Sequence, residues 1–257
     1  MGAVDAAGPG DGHGDAQLVN ADAAVVLRHP LAMVLVLVMV AGAMDARDYQ
    51  SFGVFTANQA GNMVLLWVKL PEQPAVAMLS LGSMIGAVLG IAFVVFVRRW
   101  RRWFSGAAGS RTLLFLVAFI LAITSVLGGQ LFATVGGTPI QDLRLWTLAW
   151  TAAVASVMLS AFALGALATV FVVAGAFKAG VIAITGPFVD GARYLAASLI
   201  YKDPEFRRKW KYLLAFPAAW SVGAMVVGLT PLSRESITLL GVAAVIAVAS
   251  FARRIRS

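Results

Sequence analysis

Polar and ionisable side chains are concentrated in two stretches of an otherwise apolar chain. The first stretch is MDARDYQSFGVFTANQAGN, residues 44–62. Polar groups at membrane depth usually face a bundle interior or a watery cavity and mark solute or ion pathways. We therefore predict a substrate-binding site that uses the polar side chains of this stretch: Asp45, Tyr49, Thr56, Asn58 and Asn62.

Asp45 has two open interpretations. It can serve as a proton, cation or substrate contact, with Asp48 three residues away on the same helix face. Either carboxylate can instead be a charge at the membrane surface, or one paired with Arg47 for folding. The glycines of this stretch predict a helix break, and a helix restarting near Asn62 would direct free amides into the protein, where they bind an anion or are simply capped.

The second stretch, GAFKAGVIAITGPFVDGARYLAASLI at 175–200, contributes three further candidate site residues, Lys178, Thr185 and Asp190. Pro187 cannot continue a helical hydrogen-bond ladder, which predicts a break at Gly186–Pro187. Lys178 either neutralises Asp45 across the protein or extends to the membrane surface.

The composition requires lipid as the solvent for most of the chain. Of 257 residues, 60% are hydrophobic and 12% are charged, whereas soluble domains have about 25% charged residues. The net charge of +8 comes from short basic runs between apolar stretches, which is typical of cytoplasmic loops and does not indicate nucleic-acid binding. Since the chain has no cysteine, thiolate chemistry is excluded, and neither a metal site nor a cofactor is predicted.

The apolar runs predict six membrane spans. Residues 1–29 are rich in Gly, Ala and Asp and predict a disordered polar tail, followed by a single transmembrane domain at 30–257. The predicted spans begin in the apolar runs 31–43, 75–97, 112–135, 146–174, 212–230 and 237–251. The basic runs at 98–102, 202–211 and 253–256 place both termini in the cytoplasm.

The order of these elements repeats along the chain. A broken span and two plain spans occupy about 31–135, and the same order returns with opposite orientation at about 146–251. Inverted repeats that each carry an interrupted helix are a recurring transporter design. We therefore predict an all-α polytopic bundle of two inverted three-span halves, whose broken or re-entrant segments meet near the membrane midplane.

The first broken segment resembles a family signature. AGAMDARDYQSFGVFTANQAGNMVLL, residues 41–66, is similar to the G-x-x-DA…Y…G-x-FTA-x-x-TGN-x-V-x-L pattern of the YoaK family, also catalogued as DUF1275. Ala60 stands where that family usually has threonine. The resemblance implies an integral membrane protein of bacteria or fungi and supplies no mechanism.

Three functions stay open on these observations. The first is a small-solute transporter or permease of the inner or plasma membrane, whose partners are the lipid bilayer and a small molecule of unknown identity. The second is a membrane-embedded enzyme that acts on a lipophilic substrate, with Asp45 as general acid. The third is a non-catalytic scaffold. Gly82, Gly86 and Gly90 form a ridge typical of close helix packing, within one chain or in a homo-oligomer.

Overall fold

The computed structural model describes residues 25–26, 30–100, 107–134, 144–169, 172–174, 177–179, 185–202 and 204–229. The described part of the chain is predominantly helical. Its helices, in chain order, are α1 (Pro30–Phe52), α2 (Gln59–Lys69), α3 (Pro74–Trp100), α4 (Ala107–Thr134), α5 (Leu148–Ala168), α6 (Thr185–Tyr201) and α7 (Pro204–Gly228).

Three of these helices are long and apolar enough to cross a bilayer. They are α3, α5 and α7, and a shorter apolar helical stretch, Thr112–Thr124, lies within α4. The helices have no strongly polar face because nearly all their side chains are apolar, as expected where lipid replaces water. The structure therefore supports a helical membrane protein. The sixth predicted span, 237–251, lies outside the described residues.

Short strands interrupt the helical fold where a continuous span over 146–174 was predicted. Helix α5 ends at Ala168, and the chain then forms strand β2 (Val172–Ala174), antiparallel to β3 (Phe177–Ala179). The β-branched and aromatic residues after Thr169 favour extended backbone over helix. Strand β1 (Val25–Val26), inside the predicted N-terminal tail, pairs in parallel with β2. The rest of that tail lies outside the described residues.

Helices α1 and α7 pack so closely that their backbones touch. A Cβ atom at Gly42 would lie 2.1 Å from the carbonyl oxygen of Trp220, and one at Gly223 would lie 1.9 Å from that of Met39. Only glycine fits at such distances. The two glycines therefore fix where these helices cross.

Helices α3 and α5 make the same kind of contact. A Cβ at Gly90 would lie 2.0 Å from the carbonyl oxygen of Phe162, and one at Gly165 would lie 2.3 Å from that of Ala87. Gly86 of the predicted ridge also meets the α5 backbone, at 2.5 Å. The prediction of close packing at the ridge is thus confirmed for Gly86 and Gly90, and the helix that they contact, α5, belongs to the same chain.

The direction of the helices follows from contacts at their ends. Trp150 Nε1 donates to the Ala75 carbonyl at the start of α3 and α5, and Arg98 Nη1 donates to the Thr169 carbonyl at their end. These two helices therefore run parallel. Helix α1 runs against them, because its end shares an apolar cluster with their first turns: Phe52, Val54, Val76, Leu79, Ala153 and Val157.

Candidate functional site

The first helix stops and the chain turns back inside the bundle, as the glycines of this region predict. Gly53 adopts φ 70°, in the left-handed region, and its N–H donates to the Tyr49 carbonyl at 2.9 Å. This is a common glycine-dependent helix end. Residues 53–58, called the elbow below, link α1 to α2 without helical hydrogen bonding.

The elbow folds over the side chain of Asp45. One carboxylate oxygen accepts the N–H of Thr56 at 2.8 Å and of Ala57 at 2.6 Å, and the other accepts the N–H of Asn58 at 3.1 Å. Asp45 is 0% exposed. The amides that hold this carboxylate precede α2, whereas the sequence predicted free amides at a helix restarting near Asn62.

Arg47 and Asp48 form an ion pair beside Asp45, and both are buried. The second Asp48 oxygen accepts the Thr56 hydroxyl at 2.8 Å. The Arg47 guanidinium also lies over the Phe52 ring, 5.1 Å from its centroid. Of the two open interpretations for this region, the structure supports pairing within the fold. Of the two carboxylates that could pair with Arg47, Asp48 does so.

Asn62 anchors the other side of the elbow. Its Oδ1 accepts the Phe55 N–H at 2.9 Å, and its Nδ2 donates to the Phe55 carbonyl at 2.5 Å. Nδ2 also lies 3.0 Å from Ser83 Oγ on α3, and the Ser83 hydroxyl donates to the same Phe55 carbonyl at 2.7 Å. One amide side chain thus satisfies both backbone groups of an elbow residue in a buried place.

Two of the predicted residues at the elbow keep accessible surface. Tyr49 is 48% exposed and stacks on the Phe55 ring at 4.9 Å between centroids. Asn58 is exposed, and its side chain accepts the Gly61 N–H at 3.2 Å, so it caps the start of α2. Among the five predicted residues of the first stretch, these two are the exposed ones.

The second stretch does not join this site in the described residues. The backbone of Lys178 lies in β3, opposite Val173, in a sheet that also includes the residues just before α1. Asp45 lies fifteen residues beyond the start of α1, or about 22 Å along a helix. This placement gives no support to a Lys178–Asp45 pair, and the Lys178 side chain lies outside what is described.

The other two predicted residues of this stretch belong to α6. Thr185 is its first residue, and Asp190 is exposed on it. Pro187 occupies the first turn, where a missing N–H costs no hydrogen bond. Helix α6 packs against α7, so Asp190 reaches the surface of that helix pair and not the elbow.

Ser83 is a site residue that the sequence reasoning missed. It is fully buried and contacts Asn62, and its hydroxyl oxygen accepts a hydrogen bond from Gln59 Nε2 at 3.4 Å. The available signal was its position: a serine inside an apolar span normally faces other helices and not lipid. Ser83 lies next to Gly82 in the glycine ridge, and the ridge predicted helix packing but no hydrogen bond.

A family model described as a protein of unknown function (DUF1275) matches residues 33–252. The chain belongs to the DUF1275 family. No curated protein and no solved structure matches it.

The DUF1275 signature coincides with the elbow and its supports. Gly42 is the contact glycine of α1, Gly53 ends that helix, and Asp45 and Asn62 hold the elbow from its two sides. Ala60, which replaces the usual threonine of the signature, is exposed, and the buried network is complete without a hydroxyl there. In this DUF1275 member, the signature therefore coincides with the break between α1 and α2.

Proposed function

We propose that the protein is a small-solute transporter or permease built from two inverted halves, residues 31–135 and 146–251. Solute binding is proposed at the membrane midplane, beside the elbow. The rigid bodies are the helix pairs α1–α7 and α3–α5, and the elbow moves with α1, to which Asp45 holds it. In this proposal Asp45 positions the elbow, and the solute contacts Tyr49 and Asn58.

One observation carries the proposal: the two helix pairs cross in the same register. Gly42 of α1 and Gly165 of α5 each meet a carbonyl oxygen of the partner helix at about 2 Å, so the proposed halves can be matched with these two glycines in equivalent places. Gly223 of α7 corresponds in the same way to Gly90 of α3. The contacted residue is always three positions before the glycine of its own helix. Each half thus supplies one helix to each pair, as a two-fold relation between halves requires.

Helix direction supports inversion of the halves. Helix α1 runs against α5, its counterpart in this register, since the end of α1 packs on the first turns of α5 through Phe52, Ala153 and Val157. Counterpart helices of opposite direction are what an axis in the membrane plane produces.

The depth of the elbow supports a midplane site. Ser83, which binds the elbow, lies nine residues after the start of α3, or about 14 Å along its axis. Helical backbone can be interrupted at such depth only where protein satisfies the freed amides. The elbow meets this condition through Asp45 and Asn62.

The enzyme alternative has less support. A general acid must reach the substrate atom that it protonates. Asp45 is fully buried and both of its oxygens already accept backbone amides. Product formation from a lipophilic precursor in detergent, lost in Asp45→Asn while folding is retained, would nevertheless favour the enzyme.

The chain has no cysteine, which permits a direct test of alternating access. We would introduce Tyr49→Cys and, as a control, Trp146→Cys, which replaces an 84% exposed residue just before α5. In vesicles of uniform protein orientation, a membrane-impermeant maleimide should label Tyr49→Cys from either side and Trp146→Cys from one side. Labelling of Tyr49→Cys from one side only, or from neither, would contradict the transporter proposal.

Solute flux provides the positive assay. Proteoliposomes would be offered a panel of radiolabelled amino acids, sugars, organic acids and nucleosides, with and without a proton gradient. We expect uptake of at least one class above protein-free liposomes, and loss of that uptake in Tyr49→Ala at unchanged folding. Uptake equal to protein-free liposomes across the panel would count against transport of these classes.

A further inference from the structure

An apolar cleft opens between the end of α3 and the beginning of α4, far along α3 from the elbow. Its volume is about 440 Å³, within the usual range for ligand sites. Both helices pack on α5. The cleft is lined almost entirely by apolar groups: Phe93, Phe96, Val97, Trp100, Thr112, Leu113 and Leu116.

Large aromatic side chains border this cleft and remain uncovered by the chain. Phe96 is 57% exposed and Trp100 is 70% exposed, and their rings meet edge to face at 4.9 Å. An open apolar cleft with an aromatic wall in a membrane helix pair suits a hydrocarbon chain. Tryptophan at the end of a span also marks the level of the lipid headgroups.

The same end of α3 is strongly basic. Arg98 turns towards the carbonyl of Thr169, whereas Arg99 is exposed. The sequence continues with Arg101 and Arg102, and Arg111 follows in the first turns of α4. The described part of the cleft mouth therefore has an exposed cation, Arg99, directly before the cleft residue Trp100, and the sequence that follows is basic. Basic clusters of this kind attract anionic lipid headgroups.

We propose that this cleft is a binding site for one anionic phospholipid, with an acyl chain between α3 and α4 and the phosphate beside Arg99. The apolar lining excludes a purely ionic ligand, because it offers the ion no partner. The basic rim favours an anionic over a zwitterionic headgroup. The site is independent of the elbow and of solute transport.

The test uses native mass spectrometry of the detergent-solubilised full chain. Palmitoyl-oleoyl phosphatidylglycerol and phosphatidylcholine are added at equal concentration, and the lipid retained per protein is counted. We expect one retained phosphatidylglycerol. Retention should be lost in Val97→Trp, which fills the cleft, and kept in the control Val88→Trp, which adds the same ring at a 63% exposed position of the same helix.

Charge is tested separately from shape. Arg99→Gln should weaken phosphatidylglycerol retention about fivefold, since one basic residue near a headgroup contributes about 1 kcal/mol. The control Arg208→Gln removes the same charge from an exposed position on α7 and should change nothing. Comparison of Arg99→Gln with Arg208→Gln tests the lipid site even if Val97→Trp fails to fold.

Several results would overturn the proposal. Equal retention of the two lipids would remove headgroup selectivity, and equal loss in Arg99→Gln and Arg208→Gln would indicate attraction to overall charge. Retention in a well-folded Val97→Trp protein would exclude the cleft. Competition by inorganic phosphate alone, at concentrations that leave ionic strength unchanged, would show an ion site without the acyl chain.

Discussion

Replacing Asp45 by alanine should destabilise the protein strongly, because three backbone donors would lose their acceptor. These are the N–H groups of Thr56 and Ala57, which are buried, and of Asn58, which is exposed, at 2.8, 2.6 and 3.1 Å. An unsatisfied buried donor costs about 1–3 kcal/mol, so the two buried donors together give about 2–6 kcal/mol. Because the elbow can relax towards water or other acceptors, we expect the lower part, about 2–4 kcal/mol.

The assay has a global and a local readout. The free energy of unfolding is measured in mixed micelles, and hydrogen exchange by mass spectrometry follows the amides of residues 56–58. Asp45→Ala should speed exchange at these amides. Asp45→Asn keeps one acceptor oxygen and should give an intermediate result in both measurements.

The matched control is Asp190→Ala, which removes an exposed carboxylate from α6. Surface substitutions of this kind usually change stability by less than about 0.5 kcal/mol. Equal stability of Asp45→Ala and Asp190→Ala, or unchanged exchange at 56–58, would refute the assignment of Asp45 as the residue that holds the elbow.

Three other substitutions test the packing and the buried polar groups. Gly90→Ala should lower the thermal unfolding midpoint, at a cost of about 1–3 kcal/mol, because its Cβ would lie 2.0 Å from a backbone carbonyl oxygen. In the control Gly82→Ala, the new Cβ meets only a methionine side chain at 3.5 Å, so the midpoint should hardly change. Equal midpoints would contradict the crossing geometry. Arg47→Met should cost about 3–5 kcal/mol in chemical unfolding by leaving Asp48 buried without its cation, and Arg47→Met with Asp48→Asn should recover part of that loss. A double variant less stable than the single one would argue against the pair. Asn62→Leu should destabilise by about 2 kcal/mol and expose the elbow to proteolysis, because the Phe55 N–H would lose its acceptor. The Phe55 carbonyl would keep only the Ser83 hydroxyl as a donor. Wild-type resistance to protease would contradict this role.

The sequence predicted the elbow and part of its chemistry from local signals. The glycines of residues 44–62 predicted a broken helix, with a helix restarting near Asn62. Glycine and capping residues act within one turn of the chain, so such a signal can be read without a fold. The structure has the break at Gly53, where φ is 70°, and begins α2 at Gln59 with Asn58 as its N-cap.

The partner of Asp45 could not be predicted in the same way. Its acceptor role depends on amides eleven to thirteen residues later, which come into reach only because the elbow turns back along α1. The sequence offered Arg47 and Lys178 as candidate partners on the basis of charge. The fold uses backbone amides for Asp45 and gives Arg47 to Asp48.

Composition alone determined that this chain belongs in lipid, because its apolar surface is too large for one water-soluble globule. The signature at 41–66 indicated the DUF1275 family, to which the match over 33–252 assigns the chain. Tertiary structure decided which glycines matter. Gly90 and Gly165 lie in different apolar runs, and nothing in either run tells which backbone will approach it. Only the assembled helices bring a carbonyl oxygen to within about 2 Å of the place a side chain would occupy, because helix crossing depends on both surfaces at once.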